Sequence, residues 1–223
     1  MTPSYDAAMI SRRGILFIVS GPSGAGKTTL SDAALRTFEE GLELSVSCTT
    51  RAPRPGERDG VEYHFVSEAG FDEMVASNAL GEWALVHGYR YGTPRAPIEK
   101  AIAEGRDILL DIDVQGAEQI KLVYPDSVSV FLLPPDRATL EARLRGRGTD
   151  DEATVLRRLR NACREIASAP AYDFIVVNTD RDDAIKQFVS ILRGQRARTR
   201  HMTQEGLREL VASFGEPAAA ETA

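Results

Sequence analysis

The chain has 223 residues, 43% of them apolar and 27% charged, enough to bury one sizeable core with small inserted lobes. Its net charge of −6 argues against the broad basic footprint of a protein that coats nucleic acid, but not against local arginine clusters that grip phosphates. Two cysteines without a Cys-x-x-Cys pair and three histidines without ligand spacing fit a reducing compartment and indicate no structural metal.

Met1 to Gly14 carries Asp6 early and Arg12-Arg13 late, the reverse of a secretory signal. The apolar run that follows, Ile15 to Val19, is too short to cross a membrane, so a soluble, cytoplasmic protein is expected. With Ser20 this run predicts a buried parallel strand. A glycine-rich loop, Gly21 to Gly26, comes next, and Lys27 to Glu40 predicts a helix. Leu42 to Tyr91 breaks into short β-like pieces, Leu44 to Thr49, Val61 to Val66 and Trp83 to His87, around a helix near Phe71 to Asn78.

Beyond this insertion, helices over Pro97 to Glu104, Gln115 to Val123 and Arg137 to Arg145 alternate with apolar runs at Ile108 to Ile112, Val128 to Leu133 and Phe174 to Val177. That rhythm predicts a parallel sheet covered on both faces. Gly146 to Ala169 is arginine-rich and helical, and it begins at the permissive Arg145-Gly146-Arg147-Gly148, which suits a mobile lid. The expected fold class is therefore α/β: a three-layer core with a parallel sheet (13–46, 97–138, 170–195), an inserted mixed α/β lobe (47–96) and a helical lid (139–169). Arg193, Arg196, Arg198 and Arg200 form a basic patch, read as a solvated helix end in preference to a nucleic-acid contact. The extension at 203–223 receives no role, and from about Ala218 it is expected to be disordered.

Gly21-Pro22-Ser23-Gly24-Ala25-Gly26-Lys27-Thr28 matches G-x-x-x-x-G-K-[ST] in full, between a strand and a helix. Such a loop turns backbone N–H groups around phosphate oxygens at a helix N-terminus. Lys27 can reach the β- and γ-phosphates, and the Thr28 hydroxyl can ligate Mg²⁺, the one cofactor expected. Asp111, at the end of a buried strand, suits the magnesium partner through water, although many strands end in Asp for turn reasons alone.

Ser47 to Glu57 places Arg51 and Arg54 on a proline-stiffened turn, where guanidinium forks can grip a phosphate; two solvated surface arginines are the alternative. Tyr63 and Tyr91 can add hydrogen bonds. His64 and His87 read as packing or surface, and Trp83 as core.

Ser47 to Arg54, Gly56-Glu57, Gly60-x-x-Tyr63-x-Phe65, Glu82-Trp83-Ala84, Tyr91-Gly92-Thr93, Asp111-Ile112-Asp113-x-Gln115-Gly116 and Gly146-Arg147-Gly148-Thr149 together resemble, in order and spacing, the guanylate kinases of bacterial type. The resemblance covers roughly Arg13 to Leu192. It implies transfer of the γ-phosphate of ATP to GMP, giving ADP and GDP, in GMP recycling within purine nucleotide metabolism. It also implies a core, a GMP lobe and a lid.

By matching positions, Ser47 and Glu82 would read guanine. Arg51, Arg54, Tyr63 and Tyr91 would hold the GMP phosphate, with Thr93 a further contact and Asp113 beside the nucleotide. ATP would lie on residues Gly21 to Thr28 and Thr29, with Asn178 a contact near adenine. Lys27, Arg51, Arg147 and Arg158 would be catalytic, and Arg143 is a further lid candidate, whereas Arg157, Arg160 and Arg164 read as a solvated helix face. The implied partners are the two substrates, with no nucleic acid or membrane, in a monomer or small homo-oligomer. Three competing readings are a kinase of another small molecule, a non-catalytic interaction module of the same fold, and a GTPase switch. The last lacks an Asn-Lys-x-Asp pattern, since Asn178-Thr179-Asp180 has neither the lysine nor the spacing.

Overall fold

A computed structural model of the protein describes residues 11–86, 88–146 and 151–214. Strand β1 (Leu16–Ser20) lies at the centre of a five-stranded, wholly parallel sheet. The order is β2 (Leu42–Leu44), β7 (Asp107–Asp111), β1, β8 (Val128–Leu133) and β9 (Phe174–Val177). The apolar run of β1 is continuous because both its faces are covered. Phe17 and Val19 pack with Leu30 and Ala34 of α1 (Lys27–Phe38) and with Phe188 and Leu192 of α7 (Arg181–Arg196). Leu16 and Ile18 point the other way, onto Ile98 and Ala101 of α3 (Arg95–Ala103) and Ala117 and Ile120 of α4 (Val114–Val123). The expected three layers follow from this alternation.

The inserted region forms a second, mixed sheet, ordered β4 (His64–Phe65), β3 (Cys48–Thr49), β6 (Tyr89–Pro94) and β5 (Leu80–Val86), backed by α2 (Glu68–Ala76). Here the structure departs from the sequence pattern. The stretch read as one β-piece from Leu44 to Thr49 divides, because Leu42–Leu44 pairs with β7 in the main sheet and only Cys48–Thr49 enters the lobe. Val61 to Val66 shrinks to His64–Phe65, since the residues before it are held in turns, with the Gly60 N–H donating to the Tyr63 carbonyl at 2.8 Å. Trp83 is 41% exposed and not core. In β5 the buried Glu82 occupies the facing position opposite Thr93, so the pleat turns Trp83 and Leu85 outward, and the indole meets the Phe71 ring edge-on at 6.2 Å. His87 lies outside the described residues.

The region expected to form a lid holds α5 (Arg137–Arg145) and α6 (Glu152–Ile166), which pack through their own cluster of Leu140, Leu144, Val155, Leu159 and Ala162. Asp136 and Asp151 cap the two helices by accepting from the N–H groups of Thr139 and Thr154. Arg147 and the Gly148-Thr149 that follows lie outside the described residues, as does the tail from 215. No described helix is long and apolar enough to cross a membrane.

At the opposite end of the sheet, the fully buried Asp107 carboxylate accepts from the Ile15 N–H at 2.9 Å, from Arg12 at 2.6 and 3.2 Å, and from Arg196 at 2.6 Å. Arg196 also stacks over Phe38, 4.3 Å from the ring centre. The basic patch is therefore not uniformly a solvated helix end, because one of its arginines ties α7 into the core. Helix α8 (Gln204–Ser213), in the extension for which no role was expected, is capped by Thr203 and tied to the start of the described chain, where the Thr203 N–H donates to the Ser11 carbonyl at 2.9 Å.

Removing one partner of a buried ion cluster costs about 3 kcal/mol or more. Asp107→Asn is expected to lower Tm by roughly 6–12 °C for a chain of this size, read by thermal denaturation. Activity measured well below the transition should be unchanged.

Candidate active site

The phosphate loop leaves the C-terminal end of β1 and feeds α1. Two of its glycines are demanded by space and by φ. A Cβ on Gly21 (φ +148°) would lie 2.3 Å from the Leu132 carbonyl, and one on Gly26 (φ +106°) would lie 2.5 Å from the Asn178 amide nitrogen. The loop is braced from outside. Asn178 donates to the Ala25 carbonyl at 2.7 Å, and Arg143 reaches the Asn178 carbonyl at 3.0 Å. Lys27 donates to the Gly21 carbonyl at 2.8 Å and stands 3.9 Å from Asp111. From the lid, Arg158 donates to the Ser23 hydroxyl at 3.3 Å.

A cavity of about 400 Å³ opens over this loop, bordered by Lys27, Thr28, Thr29, Asp111, Asp113 and Glu165. A second, of about 420 Å³, is bordered by Ser47, Tyr63, Glu82 and Tyr91. The two share Ser23, Lys27, Asp111, Ile112 and Asp113 as a common wall. Two polar spaces thus meet at one lysine and two carboxylates.

The second cavity is built for selective hydrogen bonding. Glu82 is buried, and Thr93 beneath it donates to its carboxylate at 2.5 Å; the Ser47 and Thr93 hydroxyls are 3.5 Å apart. Burial pushes the Glu82 carboxyl up to about 7; the Thr93 hydrogen bond opposes this and the nearby Asp113 adds to it. Burial likewise raises Asp111, with Lys27 acting against the shift.

Arg51 is buried at the edge of the lobe. It donates to the Ala52 carbonyl at 2.8 Å, Glu57 at 2.9 Å and the Tyr91 hydroxyl at 3.3 Å, and lies 5.5 Å from the Tyr63 ring centre. The Arg51 hydrogen bond, joined by the Arg54 N–H at 2.7 Å, holds the Glu57 carboxyl below the usual range.

Several expected residues therefore converge on one place: the loop, Thr28, Thr29, Asp111, Asp113, Ser47, Tyr63, Glu82 and Tyr91. Arg51 and Thr93 stand directly behind this lining. The Arg54 side chain is exposed on its turn, and Asn178 braces the loop from below. Two residues escaped the sequence reading. Glu57 sat inside a quoted motif, but nothing local says that it holds Arg51. Glu165 lines the first cavity, seven residues after Arg158 on α6; its spacing of two helical turns was the available signal.

A parallel α/β core, a braced phosphate loop and a second polar cavity opening onto the same lysine define the class of P-loop nucleotide kinases. The profile of the guanylate kinase family matches residues 13–195. The chain is 50% identical over 195 residues to the guanylate kinase of Rhodospirillum rubrum, covering 87% of this chain and 89% of that one. It is 48% identical over 196 residues to that of Sphingopyxis alaskensis, again covering 87% and 89%. The crystal structure of guanylate kinase from Anaplasma phagocytophilum superposes with a TM-score of 0.72 at 32% identity, over 92% of this chain and 97% of that one. The chain belongs to the guanylate kinase family.

The raised Glu82 carboxyl has a thermodynamic consequence. Between the unfolded value near 4.5 and the folded value of about 7, the native state holds a proton that the unfolded state has released. Stability therefore falls as pH rises through this window. Glu82→Gln is expected to remove that slope, so denaturation midpoints of the variant and the parent should coincide best near pH 4.5 and separate in the variant's favour up to pH 7.

Proposed function

We propose that the protein transfers the γ-phosphate of ATP to GMP, giving ADP and GDP. The observation that carries this reading is the shared wall: a donor cavity over the phosphate loop and an acceptor cavity over Glu82 meet at Lys27 and Asp111. On this reading the ATP phosphates lie along Gly21 to Thr28, with Lys27 bridging toward the acceptor. The donor set fits magnesium, since the Thr28 hydroxyl and the Asp111 carboxylate, both hard oxygens, border the same cavity. Thr28 would hold the ion directly and Asp111 through water, and the bound ion would neutralise phosphate charge.

In the acceptor cavity, ionised Glu82 accepts from guanine N1–H and the 2-amino group while the Ser47 hydroxyl donates to O6. Adenine offers neither pattern, and a site built on such bonds discriminates by about 10⁴–10⁵. Arg51, oriented by Glu57, holds the GMP phosphate with Arg54, Tyr63 and Tyr91, and Asp113 lies beside it. Arg158, already at Ser23, and Arg147 bring positive charge from the lid to the phosphoryl group in flight. The protein does no covalent chemistry; it aligns, neutralises and excludes water.

ADP formation from ATP and Mg²⁺ with GMP, AMP, CMP, UMP or no acceptor is the direct measurement. Turnover is expected with GMP alone, and Lys27→Met should abolish it while GMP binding persists. Equal turnover with AMP, or turnover with no acceptor, would overturn the assignment.

Guanine recognition needs Glu82 ionised, so GMP affinity should be full above about pH 7 and fall by up to roughly tenfold per unit below it. The GMP phosphate itself titrates near pH 6. A KM profile for GMP from pH 6 to 8 should therefore be steeper in the parent than in Glu82→Gln, where only the phosphate titrates.

A further inference from the structure

A third cavity, of about 200 Å³, lies at the N-terminal edge of the parallel sheet, at the far end of β1 from the phosphate loop. Its wall runs from Arg13 and Gly14 past the end of α3 to Tyr124 and Ser127 before β8, and Arg200 and His201 close it. The last two lie beyond the 13–195 span matched by the family profile. The segment that supplies them is anchored here, with the Arg13 N–H donating to the His201 carbonyl at 2.9 Å.

The hydrogen-bonding character of this cavity is one-sided. Three of its backbone acceptors are engaged: the Ile102 carbonyl receives the Gly14 N–H at 2.9 Å, the Tyr124 carbonyl receives the Ser127 N–H at 2.9 Å, and the Ser127 carbonyl receives Lys121 at 2.6 Å. Donors remain. Ser127 is 4% exposed and its hydroxyl has no hydrogen-bond partner. A buried hydroxyl without a partner is costly and calls for an explanation. The His201 Nε2 accepts from Arg200 at 3.2 Å, so a neutral imidazole carries its proton at Nδ1. Among the described residues no carboxylate lies within ion-pair distance of Arg13 or Arg200, and the one acid in the lining, Asp126, is exposed. The ends of α3 and α4 also point their carbonyls here, which by itself disfavours an anion, but the effect is smaller than that of full cationic side chains and fades within a turn.

We propose that this cavity binds a small organic anion, its carboxylate or phosphate head on Arg13, Arg200 and the Ser127 hydroxyl and its body against Ile102 and Tyr124. The volume is that of about six or seven liquid waters. It falls below the usual range of roughly 300–1,000 Å³ for drug-sized ligands, so one ring with an acid head fits and a whole nucleotide does not.

The test is amide NMR on the full chain, with the catalytic cleft saturated by GMP and a non-hydrolysable ATP analogue. Benzoate and phenyl phosphate are titrated in separate arms, with phenol and inorganic phosphate as controls. Saturable shifts are expected at Gly14, Ser127 and His201 with at least one of the two acids, the tighter one naming the head group, and with neither control at comparable concentration. Arg13→Ala and Arg200→Ala, both at exposed positions, should each weaken binding at least tenfold while GMP turnover stays within twofold of the parent. Ser127→Ala should weaken it as well. Shifts confined to the cleft, equal binding of phenol, or affinities unchanged in both arginine variants would overturn the proposal.

Discussion

Strand β1 has no free face and no free edge. It is paired with β7 on one side and β8 on the other, and its alternate side chains are sealed under two different helical layers. A strand confined in this way can deliver its C-terminal end to one place only, and that place is the turn at Gly21. The phosphate loop inherits its position from this confinement. The loop is fastened again from β9, because the residue that follows that strand, Asn178, holds the Ala25 carbonyl. Three strands that meet only in the folded sheet thus define one small arc of backbone.

The two ends of the sheet handle buried charge differently. At the N-terminal edge Asp107 is matched by two arginines and a backbone N–H, so a charge sealed from water has partners on every side. Around the cavities at the C-terminal edge, Asp111 of β7, Glu82 of the inserted lobe and Glu165 of α6 are carboxyls whose burial raises their proton affinity, with less compensation from neighbours. The first arrangement secures the fold. The second leaves interaction capacity unspent where substrates arrive, at a cost in stability that catalytic and binding sites commonly carry.

The lobe and the lid each possess a small hydrophobic cluster of their own, apart from the two clusters that flank the main sheet. Each can therefore hold its internal shape, and each meets the core through polar and apolar contacts together: Arg158 with Ser23 and the Leu140 and Leu144 side chains against Gly24, and Gln119 of α4 with the backbone of Trp83 and Ile120 against Gly81.

The sequence by itself determined the features carried by a contiguous motif or a clear apolar rhythm. The phosphate loop is eight residues long with obligatory glycines, so its chemistry is local and legible; the alternation of apolar runs and helices was sufficient for a parallel three-layer core. The motif around Arg51 and Glu82 was legible through its likeness to a family. The tertiary structure decided what depends on distance across the chain. Lys27 and Asp111 come together only because β1 and β7 pair in register, and Glu57 acts on Arg51 only because the turn folds back. Trp83 was misread as core because a pleat assigns faces by register, and the buried partner Glu82 took the inward position. The role of Arg196 was hidden for a related reason: a basic residue near a helix end gives no local sign that a carboxylate 89 residues away in sequence is sealed beside it. Local chemistry is written in neighbouring residues, whereas burial, register and charge pairing exist only once the sheet has closed.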